Sequence, residues 1–484
     1  MKKDQILQMR GGIYTAFVPV VAFLAFCVLF FVFFKAFDMT ALAMGGFVSL
    51  LFGALFAKKY SEYWDHVMRG IGGRTAVSIV VILFVVGMVA TLIRESNLSG
   101  GFVWLAQEFG VSAGLYPFFV FLAVSAIAMA TGSSIGTWFT AFPIFYASGI
   151  VVGADPALLA GAILSGGVLG DNLAPISDTT ILSSASQKFR KKGGVADIGG
   201  VVKHRARYAG VAALVSAVLF LVLGLVRGGG VPVESFGDMA TPKPLLMLIP
   251  VIIMLVVAMV SRNIFLAVTV GIALGTVTGM LAGLLTPTQI IGVVDGAPSG
   301  FLVDGVAYMT GTVALVISVF GIMGVLNGAG VMDMLVDKLV NSKLASTPRG
   351  SEFAIGIGAS ITTVMLGGVN SAAMLTFGPV VDEIGSRKQI HPYRRSNVMD
   401  CFALGIPSIV PFLSAYLFIG AQLTTGYDDT PALSTFELFP VTFYPIMLSI
   451  VILVAVWTGW GRSFEGPEGK AVKEPEKEPE TVSV

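Results

Sequence analysis

Gly170-Asp-Asn-Leu-Ala-Pro-Ile-Ser-Asp-Thr-Thr180 interrupts an apolar run over about residues 156–186, in which Asp171 and Asp178 are the only charged side chains. A charge near the centre of a bilayer costs several kcal/mol or more unless it is paired or hydrated. Pro175 stands between the two acids, removes a backbone donor and breaks any continuous helix. The stretch therefore predicts a discontinuous membrane helix. Its freed carbonyls, its two carboxylates and the hydroxyls of Ser177, Thr179 and Thr180 would form an oxygen-rich pocket suited to a hard cation. A local alternative is that Ser177 or Asp178 simply N-caps the second half-helix.

The surrounding sequence sets the solvent. Of 484 residues, 55% are apolar and 12% charged, against about a quarter charged in a soluble domain. An ordinary soluble enzyme is excluded, and Cys27 and Cys401, the only cysteines, cannot make a disulfide scaffold. A net charge of +1 gives no reason to expect a nucleic-acid partner. The expected partner is a lipid bilayer. A span needs about 20 apolar residues, and uncharged stretches near that length run over Ile13–Phe34, Met39–Ala57, Thr75–Ile93, Ala209–Val226, Leu245–Val260, Ile264–Leu284, Val306–Leu326 and Leu438–Trp460. The first is too long for a cleaved signal peptide and has no small-residue cleavage site after it.

Two longer apolar regions, about 115–186 and 353–423, are broken by polar, glycine-rich knots. The first holds Thr131-Gly-Ser-Ser-Ile-Gly-Thr137 ahead of the stretch quoted above. The second holds Gly367-Gly-Val-Asn-Ser-Ala-Ala373 and then Gly405-Ile-Pro-Ser-Ile-Val-Pro411. Each predicts a helical hairpin with a polar tip followed by one discontinuous helix, because unpaired backbone at membrane depth must be buried in protein or line a wet cavity. With the N-terminus cytoplasmic and ten crossings, 26 of the 30 basic residues fall inside, and only Lys35, Arg94, Arg227 and Lys243 fall outside. The positive-inside rule thus places both termini in the cytoplasm. Parity does not distinguish re-entrant hairpins from fully spanning ones.

At an offset of 236 the chain repeats weakly: Met129, Gly132, Thr140, Pro143 and Pro175 fall on Met365, Gly368, Thr376, Pro379 and Pro411, and Ser134 falls on Asn370. The order of elements recurs with them. The expected fold is an all-α polytopic membrane protein with two inverted-topology repeats, each holding a hairpin and a discontinuous helix, as in many secondary transporters. The expected organisation is a cytoplasmic N-terminus (1–12), repeat 1 (13–226), an outer linker (227–244), repeat 2 (245–460) and a disordered cytoplasmic tail (461–484).

The candidate cation or substrate ligands are Asp171 and Asp178 with Asn172, Ser177 and Thr179 around the break. Ser133, Ser134 and Thr137 at one tip, and Asn370 and Ser371 at the other, complete the set. Asp171 and Asp178 are the expected Na⁺ ligands; no resident cofactor is expected. Asp400 could belong to the substrate path, but the favoured expectation is that it caps or pairs near Arg394 and Arg395 at the membrane interface; Asp382 and Glu383 are expected to be solvated. His66, His204 and His391 lack metal-ligand spacing and are expected to be solvated loop residues. Residues 329–341 predict an interfacial helix with Met332, Leu335 and Leu339 on one side. Gly-x4-Gly-Lys-Ser/Thr and His-Glu-x-x-His do not occur. A two-aspartate intramembrane protease is disfavoured because Asp171 and Asp178 share one segment.

The chain resembles the NhaC family of sodium/proton antiporters. The resemblance rests on Gly170–Thr180, on the Thr131–Thr137 tip and on the order of spans, and covers nearly everything but the polar tail. It implies a carrier of the bacterial cytoplasmic membrane, with Asp171, Ser177, Asp178 and Thr179 at the positions of the family's most distinctive motif. Ala174 stands where relatives often carry serine. The family is also similar to malate/lactate antiporters and sodium-coupled amino-acid carriers, and His391–Arg395 looks more like the amino-acid branch.

A proton and Na⁺ can compete for one buried carboxylate. An exposed aspartate titrates near about pH 3.9, too acidic for this exchange, and desolvation raises carboxyl values. The expected function is therefore Na⁺/H⁺ antiport at Asp171, with or without Asp178. The alternative is Na⁺- or H⁺-coupled transport of an amino acid or small carboxylate, whose own carboxylate could rest on half-helix N-termini. A passive channel is disfavoured, since no charge ring or filter repeat is visible. Nothing in the sequence excludes a homo-oligomer.

Overall fold

A computed structural model describes residues 6–475 except 35–38, 99, 102–103, 105–107, 109–111, 176, 229–240, 262, 295, 332–333, 335–337, 339–341, 366–367, 369, 412–413 and 426–431. The chain is helical almost throughout; among the described residues the only strands are two small antiparallel ribbons, Gly292–Val294 with Ala297–Ser299 and Phe464–Glu465 with Ala471–Val472.

One group of helices comprises α1 (Val18–Val28), α2 (Met39–Ala54), α3 (Tyr60–Ile71) and α4 (Arg74–Glu95). The long α12 (Phe301–Gly328) lies against α2, α3 and α4, and α11 (Ile264–Leu281) packs on both α4 and α10 (Leu248–Ser261). Their outer faces are apolar and exposed, at Val256, Val260, Val277 and Leu281 for example, as lipid-facing helices require.

The second group carries the hairpins. Helices α5 (Tyr116–Thr131) and α6 (Ser134–Val151) form the first, and α13 (Pro348–Met365) and α14 (Asn370–Ser386) the second. Each hairpin is followed by a broken helix. In the first, α7 (Pro156–Leu173) gives way at Ala174 to α8 (Asp178–Ala185); in the second, α15 (Pro392–Gly405) runs into a 3-10 turn, Ile406–Ile409, before α16 (Ala415–Leu423). The hairpin-then-break order therefore occurs twice, and Pro143 and Pro379, 236 positions apart, lie inside the returning arms α6 and α14. Helices α9 (Ile198–Arg227) and α17 (Phe443–Thr458) flank this group.

Local chemistry explains where these helices start and stop. Asp155 caps α7 by accepting from the Leu158 amide at 2.8 Å, with Pro156 at the first helical position, where its missing donor is harmless. Asp197 caps α9 through the Gly200 amide at 2.7 Å. Gly132 ends α5 with φ 68°, a left-handed cap that glycine adopts without strain. By length and composition four segments among the described residues can each cross a membrane: Ser134–Val151, Pro156–Ala185, Ile198–Arg227 and Phe301–Gly328. The pair Thr435–Val441 and Phe443–Thr458, bent by 55°, makes a fifth if it is taken as one broken span. Shorter apolar helices occupy most of the other expected spans.

Several expectations are corrected. Residues 461–475, expected to be disordered, include the second ribbon, which docks: the His391 amide donates to Ser463 O at 2.9 Å and the Glu465 amide to Gln389 O at 2.8 Å. Buried Glu465 accepts from the amides of Arg190 and Lys191, each at 2.7 Å. A charged tail finds this place because folding supplies backbone donors that no pattern reveals. His66 and His391 are buried and His204 is half-buried; His391 accepts from the Tyr393 amide and packs on Phe189. Asp382 is buried between Arg190 and Arg395, at 2.7 and 3.0 Å, whereas Glu383 is exposed as expected. Met332, Leu335 and Leu339 of the expected interfacial helix lie outside the described residues.

Candidate functional site

The break between α7 and α8 brings its acid against the first hairpin tip. Gly170 permits this: a Cβ there would lie 2.4 Å from Ser125 O and 2.5 Å from Ala128 Cβ, so only glycine lets α7 lie this close to α5. The next residue, Asp171, is 7% exposed. The Ser134 hydroxyl, at the start of α6, donates to its Oδ2 at 2.6 Å, and the Ser177 hydroxyl donates to Oδ1 at 2.5 Å. Ser177 is in turn 3.0 Å from the Thr179 hydroxyl. No ion pair to Asp171 occurs among the described residues. The capping alternative for Ser177 is thereby resolved, since the N-cap of α8 makes no side-chain cap hydrogen bond.

A cavity of about 270 Å³ opens beside this carboxylate. It is lined by Ser133 and Ser134 of the first tip, by Asp171, Ser177, Asp178 and Thr179 of the break, and by Asn370 and Ser371 of the second tip. Eight of the ten candidate residues thus share one chamber. Asp178 is exposed and Asn370 buried, with its amide donating to Tyr416 OH at 2.7 Å. Ile82 and Leu83 of α4 close the chamber from the other group of helices. The first residues of α6, α8 and α14, Ser134, Asp178 and Asn370, all line it.

Thr137 and Asn172 do not line the cavity. The Thr137 hydroxyl donates to Ser133 O at 2.8 Å and lies 3.0 Å from Thr131, which stiffens the tip. Asn172 turns away, its Oδ1 accepting from Tyr444 OH at 2.9 Å and its backbone oxygen from Arg205 at 2.8 Å. Ser133 serves as the N-cap of α6, accepting from the Gly136 amide at 3.1 Å.

Asp400 pairs with neither Arg394 nor Arg395. Both Asp400 and Arg205 have fully buried side chains and form an ion pair between α15 and α9. Arg394, expected to be near Asp400, instead binds Glu352 through two nitrogens, at 2.8 and 3.0 Å, and Arg462 joins the same carboxylate at 2.8 Å. Sequence reading missed Arg205, Tyr416 and Glu352. Arg205 was legible in one respect: Val201, Arg205, Tyr208, Ala212 and Ser216 form the buried stripe of α9 at helical spacing. Counting it among cytoplasmic charges hid that stripe. Among the described residues no cluster of three His, Cys, Asp or Glu could hold a metal ion. A cation at Asp171 would therefore rely on hydroxyl and carbonyl oxygens, which suit Na⁺ as a passing substrate.

Residues 5–225 match the Na⁺/H⁺ antiporter family. The malate-2H⁺/Na⁺-lactate antiporter of Bacillus subtilis is 26% identical, over 65% of this chain and 69% of its own. The arginine/ornithine antiporter ArcD of Halobacterium salinarum is 23% identical over 93% of both chains. The Na⁺/H⁺ antiporter NhaC of Alkalihalophilus pseudofirmus is 23% identical, over 79% of this chain and 84% of its own. The chain is a multi-pass membrane protein that is similar over most of its length to known antiporters, and its matched stretch, residues 5–225, holds the Gly170–Thr180 motif.

Proposed function

We propose that the protein exchanges Na⁺ for H⁺ across the bacterial cytoplasmic membrane, with Asp171 holding each in turn. The observation that carries this reading is a buried carboxylate with two hydroxyl partners, no basic partner among the described residues, and a chamber beside it. Protonated, Asp171 is neutral and tolerates its apolar surroundings. Deprotonated, it needs a cation, and the oxygens of Ser134 and Ser177 stand ready as further ligands. Because one charge binds either ion, loading one displaces the other, which is the coupling that antiport requires. The two hairpin-and-break units (13–226 and 245–460) act as inverted repeats around this site, both termini being cytoplasmic.

A second reading has its own support. The cavity of about 270 Å³ greatly exceeds the roughly 30 Å³ of a water molecule, and two of the relatives are named for exchange of organic solutes. An amino acid or small carboxylate would then travel with the cation. Proteoliposomes separate the readings. Na⁺-dependent proton movement without any solute, abolished by Asp171→Asn in folded protein, supports the first; dependence on one member of a labelled solute panel supports the second. Retained coupling in Asp171→Asn rejects both assignments of Asp171.

A further inference from the structure

Arg205 is the one guanidinium among the described residues that touches both halves of the first broken helix. From α9 its Nη1 donates to the backbone oxygen of Asn172, beside Asp171 at the end of α7, and to the hydroxyl of Thr180 in α8, both at 2.8 Å. Its Nε donates to Asn397 Oδ1 at 3.0 Å and its Nη2 meets the Asp400 carboxylate, both on α15. One planar, forked cation thus spans the interruption and ties it to the second broken helix. It also meets the negative, C-terminal end of α7, where carbonyls are left without helical partners. Asp400 lies beside α8 as well, the Ser183 hydroxyl donating to its Oδ2 at 3.5 Å. Without Arg205, Asp400 would stand as a further uncompensated acid behind the chamber that Asp171 and Asp178 line.

We infer that Arg205 is a positioning residue of the cation site: it fixes the geometry of the break that presents Asp171, and it compensates Asp400 so that Asp400 does not compete with Asp171 for the transported cation. This rests on the Na⁺/H⁺ reading of Asp171. The two roles separate by mutation. Arg205→Lys keeps the charge opposite Asp400 but cannot reach Asn172, Thr180 and Asn397 together. It should keep the maximal rate near wild type and raise the KM for Na⁺ on the order of 10-fold, as losing a ligand-orienting partner does. Arg205→Gln leaves Asp400 uncompensated and should lose transport; Arg205→Gln with Asp400→Asn should recover the rate but keep the raised KM. Thr180→Val, which leaves every charge in place, should move KM in the same direction.

Each variant is purified in detergent, checked for folded protein, and read in two ways: Na⁺-dependent proton movement in proteoliposomes, and the Na⁺ concentration needed to raise the melting temperature. The second reports binding without turnover. The inference is overturned if any of Arg205→Lys, Thr180→Val and the double variant that folds binds and transports Na⁺ with the wild-type concentration dependence. Asp171→Asn, run beside them, keeps the two ideas apart. If it retains Na⁺-dependent proton movement, the reading of Asp171 falls; if it loses that movement while Arg205→Lys is unchanged, only the role of Arg205 falls.

Discussion

Both second half-helices begin at a serine, and the two serines do different work. Ser414 caps α16, its oxygen accepting from the Leu417 amide at 3.2 Å while its hydroxyl donates to Ser408 O. Ser177 occupies the same place before α8 but leaves the helix end uncapped and gives its hydroxyl to Asp171. At the second break the residue 236 positions beyond Asp171 is Pro407, and the acid of that helix, Asp400, is bound to Arg205. The described polar groups of one break are spent on its own backbone and on Arg205 of α9; the other turns its acid toward a cavity. A repeated backbone therefore need not repeat its chemistry, and a hydroxyl given to an acid that has no basic partner among the described residues is the better marker of a site than the break alone.

The comparison can be broken at several points. The largest expected effect is that of Asp171→Asn: Na⁺-dependent proton flux should fall to the level of empty vesicles, while size-exclusion and melting profiles stay close to wild type. Asp400→Asn should act on stability instead, because it leaves Arg205 buried without its counter-charge. Such losses run to about 3–5 kcal/mol, and thermal unfolding in detergent would register them as a large drop in melting temperature. An unchanged melting temperature would mean that the pair is dispensable.

The two serines offer a finer contrast. Ser177→Ala should raise the KM for Na⁺ by roughly 10-fold with little change in stability. Ser414→Ala should cost about 1 kcal/mol through its lost cap and leave KM alone. Finding both effects at both serines would erase the distinction between the breaks.

The smallest expected effect lies outside the membrane. The Tyr393 hydroxyl donates to Asp197, the N-cap of α9, and holds that carboxyl below its usual value. A depressed carboxyl stabilises the fold above its unfolded pKa, near about 3.9, and loses that contribution as pH falls through the folded value. Wild type should therefore be slightly more stable than Tyr393→Phe at pH 6, and the gap should close with acidification toward pH 3. A gap independent of pH would assign the effect to packing. Asp197 is largely exposed, so solvent screens the difference and keeps it small.

Much of the site was legible in the linear sequence. Asp171 stood out because an acid inside a long apolar run is expensive, and Pro175 because proline cannot continue a helix. The tips were legible because Gly, Ser and Asn cluster where a hairpin must turn, and all but Thr137 of the expected tip residues line the cavity. Arg205 and Arg395 were misplaced because loop charges and buried charges look alike along a chain; only partners such as Asp400 and Asp382, nearly 200 and 13 residues away, distinguish them. The tail was misjudged for the same reason, since Glu465 is held by backbone amides around residue 190.

The solvent, the helical elements and the position of the unpaired acid follow from the order of residues, because apolar run length, proline and the cost of an isolated charge all act locally along the chain. Only the tertiary structure decided which polar groups would meet. Ion pairs and hydrogen bonds fall off within a few ångströms, so whether Asp400 or Asp171 stays free for a cation depends on which helix lies opposite, and that is fixed by packing across hundreds of residues.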